Sequence, residues 1–298
     1  MHIFLQIVLP VILIFLIGYL VQRWKRVDLK SVSTVVLFIL LPCLVFRTFY
    51  KADLNMQYLL LAVSAFILFF VLIAINMIYV KVRKYTRSEE SGLVLSVGFM
   101  NSGNYGAPII LLAYGEWAFN FAISLMVIHS MMMNFFGGFY ANRSKGGIKS
   151  AFLAVLKLPA IYAAILALGL RLVDVQIPGN FMATIDMVAS AGIPMVMLVL
   201  GMQLAEIKLA VLDWDKVLYG TAVRLFISPL VAWGIVQILP IEPLLQKVFI
   251  VIAAMPSAAM AVIFSIQFDA EPKLVSSITF ISTVVSIVTI TGLIALLG

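Results

Sequence analysis

Val97-Gly98-Phe99-Met100-Asn101-Ser102-Gly103-Asn104-Tyr105-Gly106-Ala107-Pro108 interrupts an apolar run that extends from Leu93 to Tyr114. Glycine loosens a helix, and Pro108 lacks the N–H that would pair with the Asn104 carbonyl. Asn101 and Asn104 carry carboxamides that cost free energy if left unpaired in hydrocarbon. Irregular backbone at membrane depth survives only where protein buries it or a water-filled cavity meets it. The stretch therefore reads as an interrupted transmembrane helix that builds a solute site.

The surrounding composition sets the class. The 298 residues are 64% hydrophobic and 11% charged, and the mean hydropathy is +1.15. A soluble domain of this length does not hide so much apolar surface, so the chain is read as an all-α polytopic membrane protein. The apolar runs are continuous rather than alternating, which argues against a β-barrel. The net charge of +7 comes from basic residues clustered between apolar runs. That pattern fits membrane topology and lipid-headgroup contact, with no nucleic-acid partner. One cysteine, Cys43, excludes an internal disulfide and a thiolate metal site. The N-terminus opens on an apolar run without a basic n-region, so no cleaved signal peptide is expected.

With about 20 apolar residues per span, the expected spans are 3–22, 31–50, 57–80, 91–114, 117–141, 151–171, 181–204, 216–239, 244–267 and 274–297. Fourteen Lys and Arg residues, among them Arg143, Lys145, Lys149 and Lys208, fall on one side of this arrangement, against four on the other. The rich side is read as cytoplasmic, which places both termini outside the plasma membrane. Trp24, Trp117 and Trp214 fall near span ends, where interfacial anchors belong. The halves 1–145 and 146–298 repeat weakly. Leu9-Pro10 matches Leu158-Pro159, Leu41-Pro42 matches Ile193-Pro194, and Phe99-Met100-Asn101-Ser102 matches Ala254-Met255-Pro256-Ser257. Five spans per half is an odd number, so the halves would be inverted, with broken helices meeting near the midplane.

The candidate solute-binding residues are Asn101, Ser102, Gly103, Asn104, Gly106 and Pro108 in the first break, and Met255, Pro256 and Ser257 in the second. A half-helix N-terminus exposed at a break attracts an anion. Further candidates for lining or coupling are Pro42, His129, Asn134, Pro194, Gln203 and Arg224. Pro42 and Pro194 are expected to kink their spans. Gly192 and Gly201 suggest that span seven packs closely against something mobile. His129 titrates near neutral pH, although a satisfied core histidine is the simpler reading. Arg224, two turns into span eight, either snorkels to an interface or draws an anion, and Lys157 is read as snorkelling. Every carboxylate lies in a loop or near a span end, so no proton relay or sodium site is evident. Sodium held by carbonyls and amides stays open, and no metal or other cofactor is indicated. No HExxH, phosphate-cradling loop or CxxC supports catalysis, so the chain is not read as an enzyme.

The run Gly98 to Pro108, followed by Tyr114-Gly115, closely resembles the motif of the auxin efflux carrier family, which includes plant auxin exporters and many bacterial permeases. Met255-Pro256-Ser257-Ala258 resembles the matching motif of the second half. The resemblance covers essentially the whole chain. It implies ten helices in two inverted five-helix repeats of the sodium/proton-antiporter and bile-acid-transporter type. It also implies a scaffold of spans one, two, six and seven that dimerises, and a moving domain of spans three to five and eight to ten. The crossover of spans four and nine would hold the substrate at Asn101, Asn104, Pro108 and Pro256. The plant exporters' long central loop is replaced here by a short link, 142–150, as in the bacterial members. The resulting expectation is a secondary transporter that exports a small organic anion, a carboxylate, by elevator-like alternating access. An inside-negative potential favours that direction by roughly 2.3 kcal/mol per charge per 100 mV. The alternatives are a sodium-coupled importer of the bile-acid type and a membrane sensor that binds a solute without moving it.

Overall fold

A computed structural model describes residues 3–52, 55–141, 156–207 and 213–298. Asp53, Arg143, Lys145, Lys149 and Lys208, and the first residues of the expected sixth span, lie outside the described residues. The helices are α1 (Phe4–Lys25), α2 (Leu29–Lys51), α3 (Met56–Arg83), α4 (Arg87–Gly98), α5 (Ser102–Tyr140), α6 (Pro159–Leu172), α7 (Gly179–Glu206), α8 (Trp214–Ile238), α9 (Pro243–Ala253), α10 (Ala259–Phe268) and α11 (Pro272–Leu297). Among the described residues, seven are long and apolar enough to cross a membrane.

The burial pattern shows what solvent the helices require. α1 buries Val11, Phe15, Gly18 and Gln22. Its exposed stripe, Leu13, Leu16, Ile17 and Leu20, follows the same i, i+3, i+4, i+7 spacing and is wholly apolar. An apolar face on both sides is the pattern of a helix in lipid, so the chain is a multi-pass membrane protein.

The expected division between spans four and five falls inside α5. Gly115 has φ 80° and ψ −176°, where only glycine rests without strain. A Cβ there would meet nothing within 4 Å, so backbone conformation, and not crowding, requires the glycine. At the crossing of α1 and α7 the reason is the opposite. A Cβ on Gly18 would lie 2.2 Å from the Leu198 carbonyl oxygen, and one on Gly201 would lie 2.0 Å from that of Phe15. Two backbones touch at these points. The partner of Gly201 is therefore α1.

Four of the prolines, Pro42 among them, sit just after a widened turn of their helix. Phe4–Val8, Val36–Leu40, Ser102–Gly106 and Val223–Ile227 are wide π-turns, each closed by an N–H bonded five residues back. Each is followed, one residue later, by a proline: Pro10, Pro42, Pro108 and Pro229. Proline clashes with the carbonyl four residues earlier and brings no donor, and widening the turn relieves both faults. Pro194 instead lies within the continuous helix α7.

α1 packs along α7, and α2 packs on α6 and α7. α3 packs on α4 and α8, α9 on α5, and α11 on α4, α8 and α10. The connections gather at two ends. At one end, Gln22 Nε2 donates to Glu206 Oε1 at 2.7 Å, and Lys216 pairs with Glu89 at 2.6 Å. At the other, Lys51 pairs with Asp186 at 2.9 Å and Gln57 Nε2 donates to the Pro240 carbonyl at 3.3 Å.

Candidate functional site

α4 and α9 both stop in the interior, and the segments that follow them cross. The chain becomes extended at Phe99, with φ −124° and ψ 119°. Met100 and Ser257 form an antiparallel bridge. Asn101 N–H donates to the Pro256 carbonyl at 2.9 Å, and Ala258 N–H donates to the Phe99 carbonyl at 2.9 Å. The helices resume as α5 at Ser102 and α10 at Ala259. Two half-helix C-termini and two half-helix N-termini thus converge on one point. Breaking both helices in hydrocarbon frees backbone groups that need partners, and the cross-bridge supplies some of them.

The carbonyl ends are satisfied by one side chain. Arg224 is fully buried. Its Nη1 donates to Val97 O at 2.9 Å, its Nη2 to Ala253 O at 2.8 Å and Met255 O at 3.2 Å, and its Nε to Met255 O at 3.4 Å. Ser228 Oγ, one turn along α8, adds a 2.7 Å bond to Ala253 O. Arg224 therefore neither snorkels to an interface nor faces open space. It is bonded to backbone at depth, because the carbonyls freed at the helix ends need donors and the negative ends of two helices attract a cation.

The N–H ends are different. Ser102 N–H turns back to Met100 O, and Gly106 N–H reaches Asn101 O. Among the described residues, the N–H groups of Gly103 and Asn104 on α5, and of Ala259 and Met260 on α10, take no carbonyl partner. Asn101 is buried with its amide nitrogen unpartnered. Gly103 and Asn104 are half-buried, as are Ala258 and Met260 opposite, while Ser102, Gly106, Pro108, Met255, Pro256 and Ser257 are buried. Gly103 and Gly106 are both closely packed, since a Cβ would come within 2.9 Å of Met126 at the first and 2.7 Å of Ile252 at the second.

α11 closes the back of the crossing with hydroxyls. Ser257 N–H donates to Ser282 Oγ at 3.3 Å, and Thr279 Oγ1 donates to Ser257 Oγ at 3.3 Å. Ser286 Oγ reaches Tyr105 Oη at 3.4 Å, and Tyr105 packs edge-on to Phe15 of α1 with ring centroids 5.0 Å apart. Sequence reasoning missed this stripe. Its signal is the spacing of Thr279, Ser282, Thr283 and Ser286 at i, i+3, i+4 and i+7 within an apolar helix.

The remaining candidates are spread out. His129 is buried with both ring nitrogens unpartnered. Asn134 Nδ2 donates to the Ser130 carbonyl of its own helix at 2.9 Å. Pro42 is half-buried and Pro194 is exposed on the outer surface. Lys157 is exposed just before α6. Gln203 lines a cavity of about 1100 Å³ together with Gln22, Arg23, Arg26, Lys30 and Ile263. That cavity lies at the end where Gln22 meets Glu206, and none of the crossover residues lines it.

Comparison with known proteins finds similarity to membrane transporters. A family model described as "Membrane transport protein" matches residues 3–151 and 147–294. An uncharacterized transporter of Methanothermobacter thermautotrophicus is 28% identical over 293 residues, covering 96% of this chain and 95% of the relative. An uncharacterized transporter of Methanocaldococcus jannaschii is 26% identical over 301 residues, covering 96% of each. The match runs through both broken helices and nearly all of the sequence between the termini, and the chain belongs to the membrane transport protein family, that of the auxin efflux carriers.

Proposed function

We propose that the chain is a secondary transporter that exports a small organic anion, a carboxylate, across the plasma membrane by elevator-type alternating access. The observation that carries the reading is the pair of opposed half-helix N-termini. The N–H groups of Gly103, Asn104, Ala259 and Met260 take no carbonyl partner, they lie beside the unpartnered amide of Asn101, and the half-buried Asn104 stands in the same turn. Positive helix ends and N–H donors suit a carboxylate better than a cation or an apolar solute.

The packing supports two inverted repeats. A two-fold axis through the crossing would relate the halves by an offset of 157 residues, added to Asn101 and subtracted from Pro256 in the bond from Asn101 N–H to Pro256 O. That axis sends Asn101 to Ala258 and Pro256 to Phe99, and the bond from Ala258 N–H to Phe99 O is present. The same relation pairs the packing of α1 on α7 with that of α6 on α2. On this reading α1, α2, α6 and α7 form the scaffold, through which the protein dimerises, and the other helices move. The basic end is cytoplasmic, and the 1100 Å³ cavity is an approach from that side.

A thermal-shift screen of organic acids on purified protein tests the reading, followed by flux of the stabilising acids in vesicles. Stabilisation by at least one carboxylate with matching flux is expected. Stabilisation without flux would leave a binding protein and refute transport.

A further inference from the structure

We infer that Arg224 is a tethered counter-ion, a positioning residue whose guanidinium fills a nest of carbonyls that would otherwise bind a free cation. The inference rests on the crossover as the solute site but not on transport itself. Three oxygens from two different half-helices converge on one guanidinium: Val97 O at the end of α4, and Ala253 O and Met255 O at the end of α9. Each helix C-terminus carries the equivalent of roughly half a negative charge, so two of them call for about one positive charge. Arg224 supplies it, its polar contacts all go to carbonyl oxygens, and no carboxylate shares it among the described residues.

Two consequences follow for the site. The half-helix C-termini are neutralised from within, while the N-terminal ends on the other side of the bridge keep their positive character. The crossover as a whole therefore carries about one uncompensated positive charge, and a monoanion cancels it. Arg224 sets this preference for anions without touching the anion, by occupying the carbonyl side of the crossing. It also ties α4 and α9 to α8, so that the two broken helices keep one relative position.

Removing the side chain should uncover a cation site in this nest. The test is the melting of full-length purified protein and its Arg224→Ala, Arg224→Met and Arg224→Lys variants at constant ionic strength. The added solute is choline, sodium, potassium or guanidinium chloride, or urea, at low millimolar concentration. Wild type should melt alike in all of them. Arg224→Ala should melt roughly 10 °C lower, as expected when a buried charge network is broken. Guanidinium should raise it again, while urea, of the same shape but neutral, should not. Arg224→Met fills the space with an apolar chain and should gain nothing from guanidinium. Arg224→Lys keeps a point charge and should melt between wild type and Arg224→Met, which serves as the test should the alanine variant fail to fold. A wild type stabilised specifically by sodium would overturn the inference, because the nest would then be open. Rescue of Arg224→Ala by urea as well as guanidinium, no rescue by guanidinium, or Arg224→Lys melting no higher than Arg224→Met would each overturn it too. Melting requires no flux, so these outcomes are independent of whether the protein transports.

Discussion

Asn101 holds a buried amide nitrogen with no hydrogen-bond partner, an uncommon situation in a settled core. Removing such a group costs the empty protein nothing, whereas a solute that bonds to it loses a charge-assisted contact. Asn101→Ala should therefore weaken carboxylate binding by about tenfold or more while leaving the melting temperature unchanged or slightly raised. Titrations followed by melting in the same buffer check both halves, and a variant that melts lower with unchanged affinity would make Asn101 a packing residue. Gly115 lends itself to a purely conformational test. Gly115→Ala meets no neighbour but forces alanine to φ 80°, and should destabilise by roughly 1–3 kcal/mol, measured as a drop in melting temperature. The sequence shows residues of this kind because their own side chains, or the lack of one, carry the signal. It hides Arg224, whose depth can be counted but whose partners are backbone carbonyls with no letter of their own.

At the scale of elements, the sequence places the first break within a few residues and names the wrong agent for it. Pro108 suggests that the helix fails there, yet Pro108 sits behind a π-turn that accommodates it, and the ladder parts at Phe99 to Asn101. The proposed repeat takes one register in the letters and another in the bonds. Matching letters aligns Asn101 with Pro256, while the bond pattern aligns it with Ala258 and leaves Pro256 as its acceptor. Backbone pairing sets that register, and pairing between segments distant in the chain is not written in either one. Met100 and Ser257 form the narrow, non-hydrogen-bonded kind of antiparallel pair, with Cα atoms typically about 4.5 Å apart. Met100→Cys with Ser257→Cys, in a Cys43→Ser background, should cross-link under mild oxidant to give a band of altered mobility. Met100→Cys with Ala261→Cys should not. Equal cross-linking in both pairs would mean that the segments do not hold one register. The contact of α1 with α7 leaves even less room, and Gly201→Val should lower the melting temperature more than Gly115→Ala does, because its Cβ would enter the Phe15 carbonyl.

At the scale of the whole molecule, charge distribution and apolar faces were readable from the start, because they depend on composition and not on contacts. Trp24, Trp117 and Trp214 are all exposed in the structure, as anchors in an interface would be. The basic end is held together partly by Lys216, which bonds Glu89 from α4 and Asp213 beside α8. Burial tends to raise the Glu89 carboxyl, but its bonds to Lys216 and Thr86 outweigh that and hold it below the usual range. A depressed carboxylate contributes stability above its unfolded value, near pH 4.3, that is lost as pH falls through the folded value. Melting of wild type should therefore fall more steeply than that of Glu89→Gln on acidification below about pH 5, and parallel curves would remove the pair from the stability of this end. The most direct test of the account as a whole is export from vesicles of a carboxylate that stabilises the purified protein, measured under imposed potentials of both signs for wild type and Asn101→Ala. The account predicts export by wild type that quickens when the interior is negative and is lost or much reduced in Asn101→Ala. Absence of export under either polarity, or equal export by the two proteins, would contradict it.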